Sequence, residues 1–109
     1  NPHYVDAWVR KGVTLFDTGK NLEALQCFNK AVGLDRKSFK AFYNRGKCYY
    51  RQKYHEEALS DFLMAADLKW EHAATHDYLA ELFSLQGDEE TAEKHKLLAE
   101  KLRNRPRKS

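Results

Sequence analysis

Hydrophobic and polar positions along this chain follow a helical rhythm almost throughout. Trp8, Gly12, Leu15 and Phe16 recur at steps of three or four and predict one apolar stripe on a helix over residues 5–18. Leu25, Phe28, Ala31 and Val32 do the same over 22–34, and Phe42, Gly46, Tyr49 and Tyr50 over 39–52. A fourth helix over 56–68 carries Ala58, Leu59, Phe62, Ala65 and Ala66. Two more are expected over 73–86 and 89–103, and no stretch shows the strict alternation of a strand. The breaks fall at Gly19-Lys20-Asn21, Lys53-Tyr54-His55 and Gly87-Asp88, the middle one without glycine. Asn21, Ser38 and Asp88 are the expected N-caps.

A second, longer period overlies the first. Gly12 returns as Gly46, Phe28 as Phe62, and Ala24 as Ala58 and Ala92, each step being 34 residues. Ala31, Ala65 and Ala99 keep the same step, as do Leu34, Leu68 and Leu102. A period of that length is one helix–turn–helix unit. It predicts units over 5–38, 39–72 and 73–103, with a basic tail over 104–109 that Pro106 removes from the helix. Asn1-Pro2 lies 34 residues before Asp35-Arg36, so residues 1–4 are expected to close a preceding unit of a longer array. The third unit departs most from the pattern. His76 stands where Trp8 and Phe42 stand, Ala80 replaces the glycine and Lys96 the phenylalanine, as a terminal unit with no neighbour requires. Trp70 either covers the end of its helix pair or stands out as an anchor.

The stretches AWVRKGVTL, AFYNRGKCYYRQ and EEALSDFLMAADL carry these landmarks, and the chain resembles tetratricopeptide repeat proteins from Val5 to about Pro106. The resemblance implies an all-α, right-handed superhelix of three antiparallel helix pairs. It also implies a non-catalytic scaffold whose first helices line a concave groove for a peptide or a partner's helix. Carried onto this sequence, the groove has an apolar shelf of Val9 and Val13. Its centre is Tyr43, Asn44, Lys47, Tyr50 and Arg51, and its far end Asp77, Tyr78 and Glu81. Phe16, Tyr50 and Leu85 either line it or pack between units. Some family members grip chaperone C-terminal tails with a clamp of cationic and amide side chains. Here the matching positions hold Val9, Val13, Asn44, Ala74 and Tyr78, of which only Asn44 fits, so a terminal carboxylate would lose water with little return.

Composition narrows the function classes. Hydrophobic residues at 42% and charged residues at 32% describe a folded domain, and a net charge of +3 is too small to argue for nucleic acid. No apolar run has the length of a membrane span. Cys27 and Cys48 have neither framework nor metal spacing and read as reduced, so a cytoplasmic protein is expected. His72 and His76 have metal-like spacing, but they straddle a predicted break and no nearby Cys completes a site. His55 beside Glu56-Glu57 sits at a helix start, where acids favour the dipole. With no phosphate-binding glycine loop and no assembled nucleophile, neither enzyme activity nor a cofactor is expected. The alternatives to a protein-binding groove are two. Lys40, Tyr43, Lys47, Tyr50 and Arg51 could stack and neutralise single-stranded RNA, opposed by Asp6, Asp17, Asp77 and Glu81. Alternatively Leu97, Leu98 and Leu102 on the last helix could serve self-association.

Overall fold

The computed structural model describes residues 2–106. Within them lie six helices and no strand: α1 (Pro2–Asp17), α2 (Asn21–Leu34), α3 (Phe39–Arg51), α4 (His55–Leu68), α5 (Ala73–Leu85) and α6 (Glu89–Arg103). Successive helices pack on one another, and α3 also touches α1, giving an all-α solenoid of paired helices. Most predicted bounds lie within a residue of the observed ones. The exception is α1, which begins at Pro2, so residues 2–4 are already helical. Proline is tolerated there because the first-turn N–H groups have no helical partner in any case. Asn1 and the tail beyond Pro106 lie outside the described residues.

The three intra-pair turns are the same turn. Gly19, Lys53 and Gly87 adopt φ of 81°, 64° and 85°, the left-handed conformation that ends a helix. Their N–H groups bond the carbonyls of Phe16, Tyr50 and Ser84, and the next N–H groups bond those of Leu15, Tyr49 and Phe83. Lys53 therefore holds a glycine's conformation at a steric cost of about 1 kcal/mol. Ser38 and Asp88 cap as expected, accepting from the N–H of Ala41 and Thr91 at 3.1 Å each. Asn21 does not cap. It is the first residue of α2, Lys20 holds the cap position, and the Asn21 side chain accepts from the Arg51 guanidinium instead.

Two apolar clusters fill the solenoid. Val5, Val9, Ala24, Phe28, Ala31, Ala41 and Cys48 form one between α1, α2 and α3. Ala58, Phe62, Leu79 and Leu82 form the other between α3, α4 and α5. Gly12 and Gly46 are required by the rings opposite. A Cβ on Gly12 would lie 2.5 Å from the buried Phe28 ring, and one on Gly46 would lie 3.1 Å from Phe62. Ala80 can follow in the third pair because Lys96 replaces the ring.

The polar interior is fully paired. Arg45 donates twice to Asp61 at 2.8 Å and once to Asn29 at 3.0 Å, joining α2, α3 and α4. The bond to Asp61 raises the Arg45 pKa, holding the guanidinium charged. In the third pair His76 is buried and lies 3.0 Å from His95, Nδ1 to Nδ1. The ring centres are 5.2 Å apart with 17° between planes. That separation is close to the nitrogen gap plus a ring radius at each side, so the rings meet end to end. His76 Nε2 bonds the Trp70 carbonyl at 2.5 Å and must carry a proton, so in the neutral ring its Nδ1 accepts from His95. Trp70 itself is 56% exposed, so its ring does not cover the helix pair, and only its carbonyl is bound here, by His76. Among the described residues no buried side-chain nitrogen or oxygen lacks a partner.

Candidate functional site

The face formed by α1, α3 and α5 brings most of the expected groove residues together, in three groups. In the first, Val9 and Val13 of α1 and Asn44 of α3 line a depression of about 390 Å³, edged by Asp6, Arg10 and Lys40. Val9 is only 6% exposed, so it belongs to the core and forms the floor here instead of an open contact shelf. The Asn44 amide donates to the Lys40 carbonyl at 2.8 Å, which fixes its orientation.

The second group is aromatic. Tyr43 is half-buried, stacked beside Phe39 at 5.5 Å and edge-on to His72 at 4.7 Å. Tyr78 stacks on Phe62 at 4.5 Å and meets Tyr50 edge-on at 5.1 Å. These rings wedge α5 against α3 and α4, and each keeps part of its surface on the groove face. Lys47 Nζ lies 5.4 Å from the centres of both Phe16 and Tyr43, bridging α1 and α3. Burial pushes the Tyr43 and Tyr78 hydroxyls up. The Tyr50 hydroxyl, donating to Glu81, is pushed up to about 12. All three tyrosines are therefore neutral hydrogen-bonding groups at physiological pH.

The third group comprises residues already engaged in packing. Arg51 lies 3.4 Å over the Phe16 ring and donates to the Phe16 carbonyl at 2.5 Å and to Asn21. Its guanidinium ties α3 to the first turn. Asp77 is held by Arg103 of α6, with one bond of 3.1 Å and a second from Nη2. Sequence reasoning did not find Arg103 as a closing residue of this face. Its only signal there is an opposite charge 26 positions away, which no local spacing marks. Leu85 is exposed, whereas Phe16 and Tyr50 pack between pairs. No group of three or more metal-ligating side chains converges among the described residues. The face offers half-buried rings, an amide and three cations, Arg10, Lys40 and Lys47. The acids Asp6 on α1 and Asp77 and Glu81 on α5 lie toward its two ends.

Known proteins share these features. The family model "TPR repeat" matches residues 1–53 and "Tetratricopeptide repeat" matches residues 39–69. The BBSome complex member BBS4 of Bos taurus is 30% identical over 88 residues, which are 81% of this chain and 17% of that protein. The chain thus spans about a sixth of the length of that relative. The first TPR of Spaghetti (RPAP3), bound to HSP90 peptide SRMEEVD, superposes with a TM-score of 0.89 at 24% identity. The match covers 96% of this chain and 84% of that one. The Yersinia enterocolitica type III secretion chaperone SycD, in complex with a peptide of the translocator YopD, superposes at 0.84 with 20% identity, covering 93% and 78%. The 34-residue period, the shared turns and the paired helices agree with both family models, and the chain belongs to the tetratricopeptide repeat family.

Proposed function

We propose that this chain is a non-catalytic scaffold that binds a segment of a partner protein along the face of α1, α3 and α5. The observation that carries the reading is the depression between α1 and α3. It has an apolar floor of Val9 and Val13, the oriented Asn44 amide, and Arg10 and Lys40 at its edge. Such a site suits a ligand with an apolar residue toward α1 and acidic or amide groups toward α3. The half-exposed Tyr43, Tyr50 and Tyr78 extend it with rigid surface, and the six helices form three units over 5–38, 39–72 and 73–103. Peptide complexes of Spaghetti and SycD, which share the fold, support a peptide ligand. A chaperone C-terminal tail is a poor candidate, because Val9, Val13, Ala74 and Tyr78 stand where a carboxylate clamp needs cations and amides.

The test is affinity capture from lysate with the wild-type chain and an Asn44→Ala, Lys47→Glu variant, checked for equal helicity by circular dichroism. A protein retained by the first and lost by the second supports the groove. Retention by both, or calorimetric binding of a chaperone C-terminal peptide, would overturn this reading of the site.

A further inference from the structure

Four of the five glycines have a reason inside the molecule. Gly12 and Gly46 face the rings of Phe28 and Phe62, and Gly19 and Gly87 end helices with positive φ. Gly33 has neither reason. It stands in the last turn of α2, the cap of that helix is Asp35, and a Cβ on Gly33 would meet nothing within 4 Å. The repeat does not ask for glycine there, since Asp67 and Lys101 hold the equivalent positions. Glycine weakens a helix relative to alanine, and no contact among the described residues offsets that.

What Gly33 does is keep a depression open. About 370 Å³ in volume, it lies between α2 and α4, the second helices of consecutive pairs, with Phe42 of α3 as its floor. Val32 and Met64 complete the apolar lining, and Asn29 and Arg36 are the polar lining. All of its walls lie between the first and second pairs, away from either end of the solenoid. Phe42 is buried, with the Arg45 guanidinium 5.5 Å from its ring centre, whereas Met64 is 41% exposed. The polar side chains here can only donate. The Asn29 oxygen already accepts from Arg45 at 3.0 Å, which leaves its N–H groups. Arg36 makes no hydrogen bond or ion pair among the described residues, and no carboxylate lines the depression.

We propose that this depression is a docking site separate from the face of α1, α3 and α5, and that it takes an acidic amphipathic helix of a partner protein. An aliphatic side chain of that helix rests on Val32, Phe42 and Met64, a methionine that can adapt its shape to the guest. The partner's backbone passes over Gly33, where no Cβ stands in the way. A carboxylate one turn along accepts from Arg36 and the Asn29 amide, the acceptor that this donor-only rim lacks. The mode is a helix face because residues one turn apart on a helix share a side, and no strand among the described residues offers an edge to extend. One cation over an apolar floor does not suit a nucleic acid backbone.

Selection from a displayed library of amphipathic helical peptides, about 15 residues long and randomised along one face, tests this with the 109-residue chain as bait. The enriched peptides are expected to carry Asp or Glu three or four residues from Leu, Ile or Met. Gly33→Leu fills the depression and Arg36→Glu reverses its charge. Each should weaken these peptides about tenfold or more in fluorescence anisotropy, with helicity unchanged because both positions are exposed. Lysine in place of the peptide's acid should restore binding to Arg36→Glu, which no merely destabilised chain would show. Asn44→Ala, Lys47→Glu, on the other face, should leave the affinity as it is, which separates this site from the groove. The proposal is overturned if no peptide is enriched, if the enriched ones are basic, or if Gly33→Leu binds them as well as the wild type. Self-association of the wild-type chain that Gly33→Leu abolishes would make a second copy the occupant and overturn it equally.

Discussion

The second and third helix pairs share one backbone plan and fill it with different chemistry. Where α3 and α4 place Arg45 and Asp61 as a bidentate ion pair, α5 and α6 place Leu79 and His95. Where α3 has Phe42, α5 has His76, which turns to His95 and the Trp70 carbonyl. Where Gly46 makes room for Phe62, Ala80 stands opposite Lys96. The period fixes where a side chain meets the neighbouring helix, and any occupant serves if its volume fits and its polar atoms are paired. The second pair is anchored on both sides and carries the large ring. The third gives up the ring, and Asp77, Glu81, Glu89 and Glu93 line a depression on its outer face.

The sharpest way to break this comparison is at the ring itself. Phe62 is fully buried beneath Tyr43 and Tyr78, and Phe62→Ala should lower stability by roughly 3–5 kcal/mol in denaturant unfolding. Lys96→Ala, at the same repeat position and exposed, should change it by less than about 0.5 kcal/mol. Next is the ion pair. Asp61→Ala leaves Arg45 half-buried without its carboxylate and should cost roughly 3 kcal/mol, measured the same way. Gly12→Ala drives a methyl into the Phe28 ring and should cost about 1–3 kcal/mol. Gly46→Ala, with 3.1 Å instead of 2.5 Å, should cost less. In the turns, Lys53→Gly gives the second pair the residue that the first and third already have. It should stabilise by about 0.5–1 kcal/mol, read as a rise in thermal midpoint.

Acid should separate the two pairs by a smaller effect. Burial, then the neighbouring His76, holds the His95 pKa below its ordinary value of 6.5. His72 is lowered by burial, then Lys69 and His76. The unfolded chain therefore binds protons more readily than the folded one. The contribution of these groups is complete above about pH 6.5 and is lost as pH falls toward their lower folded values. One proton can enter at His95 Nε2 and leave the His95-to-His76 bond in place. Hydrogen exchange at pH 7.5 and 5.5 should show α5 and α6 losing protection before α3 and α4. Equal loss in both pairs would remove the distinction.

Much of this was legible in the chain. Gly12 with Phe28, and Gly46 with Phe62, recur at one step, and the six helices follow from apolar residues spaced at three and four. The turn at Lys53 was less legible, because its sequence lacks the residue its backbone conformation favours. A common face of α1, α3 and α5 was legible. Val9, Asn44 and Lys47 do share it, but Val9 forms the floor, Arg51 is bound to the first turn and Asp77 to Arg103. Asn21 shows why the rest stayed hidden. Its type and position suit a cap, and only the approach of Arg51, 30 residues on, gives it another partner.

The helices, their pairing and their repeat follow from the chain alone, because 3.6-residue and 34-residue periods are written along it. Only the packed fold sets which polar residues become interior partners and which residues of the α1, α3 and α5 face are used in packing. Arg45 with Asp61 and Asn29, His76 with His95, and Arg103 with Asp77 lie 16 to 26 residues apart. Contacts of that kind depend on how neighbouring helices cross and which rotamers their crowding allows. No periodicity along a single helix encodes that.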